Sequence, residues 1–154
     1  PAVTLVMRFG DCVPVIVYDP VKKVSAVYHA GWPGTVLRIG RNVVRNMVNV
    51  YGCEPRDLIA GIGPSIGPDH FVVRQDVRDK FRQSFPDDLD EILFEQDGVI
   101  HIDLWKANRI TLAEAGVSQI ETAGICTVCN TQEWFSHRGD HGKTGRFGVF
   151  VNFG

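Results

Sequence analysis

The sequence predicts a single mixed-sheet α+β domain. Its 154 residues are the length of one domain. Short apolar runs rich in Val, Ile and Phe outnumber its amphipathic stretches. Strands and helices do not alternate along the chain, which argues against a doubly wound parallel sheet.

Residues 3–9 form the first apolar, β-rich run. Residues 12–18 form a second, apolar on both faces and therefore buried on both. Pro14 fits a central strand only where its missing N–H falls at a strand end or bulge. Residues 24–29 are a third strand, reached through a turn at Asp19-Pro20. Residues 35–51 read as the strongest helix. Val36, Ile39, Val43, Met47 and Val50 recur at spacings of three and four, Thr35 is placed to cap the start, and Gly52 to end it. Residues 58–62 are a strand running into Gly63-Pro64-Ser65-Ile66-Gly67-Pro68, a segment too rich in Gly and Pro for regular structure. Residues 70–73 read as a strand and 75–85 as a helix stopping at Pro86. Residues 94–102 form a hairpin around Asp97-Gly98. Asp103 caps a helix over 104–115, with Gly116 beyond it. Residues 119–125 are a strand, 132–135 a helical turn and 147–153 the final strand.

Composition bounds the function. Hydrophobic residues make up 44% and charged residues 22%, an ordinary balance for a globular protein. A net charge of -2 lacks the basic surplus of a nucleic-acid binder. No apolar run approaches bilayer length and no leader pattern is present, so no membrane partner is expected. A chain with a full core has little need for disulfides, so the four cysteines point to a reducing, cytoplasmic setting. The chain opens on Pro1 and enters a strand almost at once, which suggests a shortened chain with part of its site elsewhere.

Cys12 and His29 carry the first chemical signal. A tight hairpin centred on Pro20 and Val21 places them directly opposite, with Cβ atoms about 4.5–5.5 Å apart. Such a pair can ligate a metal or form a nucleophile and base. The same residues also fit a buried small hydrophobe and a satisfied core histidine. A catalytic zinc takes three protein ligands, so two are not enough, and His70 is a possible third. Cys126 and Cys129 form a CxxC, but no second CxxC or HxxxH follows, which favours a structural reading. The segment 136–146 is polar and basic. Arg138, Lys143 and Arg146 can pair with phosphate there, or the segment is a solvated loop. Trp32 can stack on a planar ligand or fill the core.

Four motifs occur together and in order: Asp11-Cys12-Val13-Pro14-Val15; His29-Ala30-Gly31-Trp32-Pro33-Gly34-Thr35; the 63–68 segment; and Phe135-Ser136-His137-Arg138 with Thr144-Gly145-Arg146. This set resembles the YfiH family, also called the laccase-domain or multicopper polyphenol oxidase-like family, whose members are read as purine nucleoside phosphorylases. The resemblance implies layered sheets flanked by helices, like the catalytic domain of cytotoxic necrotizing factor. It implies a metal, usually zinc, held by Cys12, His29 and a histidine of a Gln-Val-His segment that lies upstream of this chain. It implies phosphorolysis of adenosine, inosine, guanosine and methylthioadenosine, and deamination of adenosine. Purine nucleoside and phosphate are then the partners. Trp32, Arg138 and Arg146 would bind substrate, and His137 or Asp11 would manage protons. Two positions depart from the family: Pro33 stands where an arginine is usual, and Asp69 where a cysteine is common.

Three rivals remain at this stage. One is a cysteine hydrolase or deamidase using Cys12 and His29. One is a copper-dependent phenol oxidase, for which five histidines are few. The last is a non-catalytic, degenerate member.

Overall fold

A computed structural model describes residues 3–152. Phe153, the end of the expected last strand, and Pro1 lie outside them. The elements are β1 (Leu5–Phe9), β2 (Val13–Asp19), β3 (Val24–Ala30), α1 (Trp32–Val36), α2 (Ile39–Tyr51), β4 (Ile59–Ile62), β5 (Val72–Val73), α3 (Gln75–Ser84), α4 (Leu89–Ile92), β6 (Leu93–Gln96), β7 (Val99–Ile102), α5 (Leu104–Glu114), β8 (Gln119–Thr122) and β9 (Phe147–Val151). They form three sheets. The largest has the order β3-β2-β4-β8, β1 pairs with β9, and the third runs β5-β7-β6. The main sheet is mixed, with β8 parallel to β4 and the other pairs antiparallel. The expected mixed-sheet α+β class is the observed one.

β2 is the central strand. Val13, Val15 and Val17 are completely buried, as its two-sided apolar pattern requires. Pro14 is tolerated there for a local reason. Its carbonyl accepts from the Gly63 N–H at 2.9 Å, just past the last β2–β4 pair, Val15 with Ile62. The missing N–H of Pro14 therefore falls beyond the end of β4. α2 and α5 pack against each other and against the main sheet, α2 on β3 and α5 on β4 and β8. Phe81 and Phe85 bring the α3 end into the same core as Leu104 and Leu112 of α5.

Two expectations need correction. The hairpin between β2 and β3 is not a two-residue turn. Asp19 pairs with Val24, so four residues loop out. The Asp19 carboxylate accepts from the N–H groups of Val21 and Lys22 at 2.8 and 2.9 Å, and Lys23 takes a left-handed φ of 56°. This wider loop shifts the register, and His29 faces Pro14 rather than Cys12.

The long helix is also broken. Thr35 does not cap it: its hydroxyl donates to the Gly31 carbonyl inside α1. Arg38 turns left-handed (φ 51°, ψ 47°) and α2 starts after it. α2 then buries Gly40, Val44 and Met47, while Val50 is 67% exposed. Gly40 sits against the Tyr28 ring, where an added Cβ would lie 2.6 Å from the hydroxyl. That close approach sets the buried face of α2.

Candidate active site

The site is assembled at the end of the main sheet where β2 begins. Asp11 is its hub. The residue has a positive φ of 80° and is 8% exposed. Its Oδ1 accepts from the hydroxyls of Thr127 and Ser136, each at 2.7 Å, and its Oδ2 from the Arg138 N–H at 2.6 Å. Its own carbonyl accepts from the Ile66 N–H at 2.9 Å. One residue thus joins the β1–β2 turn to three segments distant in sequence. Three donors occupy the carboxylate and tie it to the 127 and 136–138 segments.

A pocket of about 280 Å³ opens beside it, lined among others by Cys12, Trp32, Phe71, His137, Arg138 and Arg146. This approaches the lower end of the ~300–1,000 Å³ usual for small-molecule sites. Trp32 lines the pocket and also packs on the core, with the Lys80 ammonium 5.0 Å from its ring centre. Arg146 lies over Gly10, where a Cβ would stand 3.0 Å from its Cδ. The Arg138 guanidinium donates to the carbonyls of His70 at 2.8 Å and Val72 at 3.5 Å. A larger apolar cavity of about 380 Å³, lined by Pro14, Trp134 and Phe147 among others, contains none of the candidate residues.

Cys12 and His29 are diagonal neighbours rather than a directly opposed pair. With Pro14 opposite His29, Cys12 lies two positions along the strand direction. His29 is exposed, stacks on Phe9 with ring centres 4.7 Å apart, and does not line the pocket. Burial and then the Asp11 charge push the Cys12 thiol up, while Arg146 pulls it down. Partial desolvation and the Arg146 charge both hold the His29 imidazole low, which favours its neutral form. The donor set of one thiol and one imidazole suits a borderline cation such as zinc. Neutral His29 is already in the ligating form, and Arg146 draws both groups toward the forms that bind metal.

His70 does not join Cys12 and His29. It meets the CxxC instead. Its Nδ1 lies 3.7 Å from the sulfurs of both Cys126 and Cys129. These three form a possible His/Cys/Cys metal site, with their donor atoms all within 4.8 Å of one another. The sequence shows the two cysteines but not a third donor 56 residues upstream of Cys126. Of the buried partners of Asp11, Ser136 belongs to a motif the sequence shows, while Thr127 has no signal of its own.

The chain matches the family described as multi-copper polyphenol oxidoreductase laccase over residues 1–153. It is 40% identical over 152 residues to a Bacillus subtilis protein named purine nucleoside phosphorylase YlmD, covering 97% of this chain and 54% of that protein. It is 38% identical over 133 residues to adenosine deaminase RL5 from an unknown prokaryotic organism, covering 84% of this chain and 50% of that protein. Among solved structures, the YfiH protein of Bacillus licheniformis superposes with a TM-score of 0.93 at 38% identity, over 98% of this chain and 58% of that one. The chain spans about half the length of the curated relatives it matches. Matched along its length in sequence and backbone, the chain belongs to the multi-copper polyphenol oxidoreductase laccase family that includes the YlmD and YfiH proteins.

Proposed function

We propose that this chain is the pocket-bearing part of a zinc-dependent purine nucleoside phosphorylase that also deaminates adenosine. Cys12 and His29 are two metal ligands, and a further ligand comes from outside residues 1–154. The observation that carries the reading is the convergence of Cys12, Trp32, His137, Arg138 and Arg146 on one pocket. The names of the relatives supply the reaction classes: purine nucleoside phosphorylase and adenosine deaminase.

The residues divide the work by chemistry. In phosphorolysis a phosphate oxygen bonds to the sugar carbon while the purine leaves with the glycosidic electrons. Arg146 faces both Cys12 and His29 electrostatically and is placed to hold the phosphate. Arg138, fixed by the His70 carbonyl, lines the same pocket and adds a second positive charge. Trp32 offers an aromatic face to the purine. His137, on the pocket wall, carries the proton to the departing base. Asp11 holds the Arg138 backbone in place. Cys12 and His29 would hold a zinc ion, which would supply a Lewis acid able to lower the pKa of water to about 7 for deamination. Pro33, in the usual place of an arginine, is exposed at the start of α1, so Arg146 and Arg138 take up the anion binding.

A cysteine nucleophile fits less well. Burial and Asp11 push the Cys12 thiol up, the reverse of an activated thiolate, and His29 lies opposite Pro14.

The test uses the full-length protein. Purine release from inosine with phosphate and ammonia release from adenosine should both be present. Both should fall by about 100-fold or more in Cys12→Ala, together with zinc content, because even outer-shell groups of metal sites are worth 10–100-fold. Undiminished turnover in Cys12→Ala overturns the ligand role. Absence of base release from zinc-loaded protein overturns the phosphorylase reading.

A further inference from the structure

We propose that His70, Cys126 and Cys129 bind a second metal ion, a thiophilic divalent cation of the zinc class, independent of the Cys12–His29 pair. The distances support a tetrahedral site. With zinc bonds of about 2.3 Å to sulfur and 2.0–2.1 Å to nitrogen, tetrahedral angles separate the two donors by about 3.6 Å. The observed separation is 3.7 Å from Nδ1 to each sulfur. The two cysteines have the Cys-x-x-Cys spacing that wraps one chain segment around a metal.

The surroundings are built for a thiolate. The Gly67 N–H donates to the Cys126 sulfur at 3.2 Å, the kind of outer-shell hydrogen bond that orients metal ligands. A side chain at Gly67 would disrupt this, because a Cβ there would lie 3.0 Å from the Cys126 Cβ and 3.1 Å from its sulfur. The backbone brings the segments together before any metal arrives. Ser65 bridges to Cys126, and the N–H groups of Ser65 and Thr127 donate to the carbonyls of Ile125 and Ser65 at 3.2 and 3.0 Å. Trp105 secures the same turn, donating from its indole to the Ser65 hydroxyl. His70 and Cys126 are half-buried and Cys129 is exposed, which leaves the fourth position to solvent.

The proposed ion acts as a clip. It would tie the segment after β4 to the segment after β8. Both bear on the pocket: the His70 carbonyl receives Arg138, and Thr127 donates to Asp11. The second metal is therefore assigned a positioning role.

Cobalt(II) titration of the reduced Cys12→Ser chain tests this, because that variant lacks the thiolate of the first site. The expected result is one equivalent of cobalt bound with a thiolate-to-cobalt charge-transfer band, displaced by zinc. Cys129→Ser and His70→Gln in the same background should each weaken binding by at least about tenfold. Cys129 is exposed, so its replacement leaves the core intact, and far-ultraviolet circular dichroism checks both variants. As a second measurement, zinc should protect Cys126 and Cys129 of the unmodified chain from alkylation, mapped by peptide mass. No charge-transfer band with Cys12→Ser, a band unchanged by Cys129→Ser, or equal alkylation with and without zinc each overturns the proposal. None of these outcomes depends on whether the Cys12–His29 pair is catalytic.

Discussion

Asp11 shows how much of the site rests on one residue. Its two oxygens separate their duties: Oδ1 takes the hydroxyls of Thr127 and Ser136, and Oδ2 takes the Arg138 N–H. Asp11→Ala removes both acceptor oxygens, strands the three donors and leaves an alanine in a left-handed backbone. It should cost about 3 kcal/mol in urea unfolding, as hydrogen bonds to charged groups are worth 1.5–3 kcal/mol each and do not add fully. Asp11→Asn keeps the oxygen that serves the two hydroxyls but sets an amide against the Arg138 N–H. It should cost only about 1–2 kcal/mol while reducing nucleoside turnover, because the 136–138 segment must move. Equal losses for the two variants would contradict this division. The chemistry of Asp11 was only half legible in the sequence. Its place beside Cys12 marks it as a site residue, but the three donors come from 116 to 127 residues away. That separation hides the partners, because no local pattern announces donors so far along the chain. The motif residues themselves were legible: Cys12, Trp32, His137, Arg138 and Arg146 do share a pocket. His29 lies two residues along from where a tight hairpin would put it, opposite Pro14 instead of Cys12.

The kink between α1 and α2 is the clearest case of tertiary contacts overriding local pattern. A non-glycine residue in the left-handed region costs about 1–3 kcal/mol, and Arg38 occupies it. Its side chain offsets that cost. Nε and Nη2 donate to the Ser84 carbonyl at 3.0 and 2.6 Å, Nη1 pairs with Glu114, and the guanidinium lies 4.1 Å from the centre of the Phe85 ring. Arg38 thus pins the α1–α2 corner to the ends of α3 and α5. Arg38→Ala loses the contacts and keeps the strain. Arg38→Gly loses the same contacts but relieves the strain. The alanine variant should therefore be the less stable of the two by about 1 kcal/mol, the usual left-handed penalty for a residue with a Cβ. Thermal or urea unfolding of the pair measures this, and a more stable alanine variant would refute it. Elements set by local chemistry were readable. Asp97 and Gly98 both take positive φ at the β6–β7 turn, the Asp103 side chain accepts from the Lys106 N–H, and Gly52 ends α2 left-handed. What escaped was set by distant partners: the kink at Arg38, and the face of α2 fixed by Tyr28 at Gly40.

Across the whole molecule, β2 links two chemically different ends. At its start, Asp11 and Cys12 meet the loops that follow β3, β4 and β8. At its end, Asp19 is completely buried against Cys53, the residue after the Gly52 cap of α2. Burial alone would raise the Asp19 carboxyl, but hydrogen bonds from the Lys22 N–H, the Cys53 thiol and the Val21 N–H hold it low. Burial, followed by the hydrogen bond to Asp19 and its charge, pushes the Cys53 thiol from 9.0 up to about 11. Burial and the Asp19 charge both disfavour the thiolate, so the fold favours protonated Cys53. The consequence for stability has a definite sign. Between pH 9 and about 11 the unfolded chain has lost the Cys53 proton and the folded chain retains it. Stability is then fully present below pH 9 and declines through this window, by up to about 1.4 kcal/mol per pH unit for one proton. Cys53→Ala removes the titration but leaves other alkaline groups, including the buried Tyr28 hydroxyl, in place. Urea unfolding at a series of pH values should give curves for the two proteins that differ by a constant below pH 9 and converge between pH 9 and about 11. Parallel curves across that window would show that the thiol at the far end of β2 carries no proton linkage to folding.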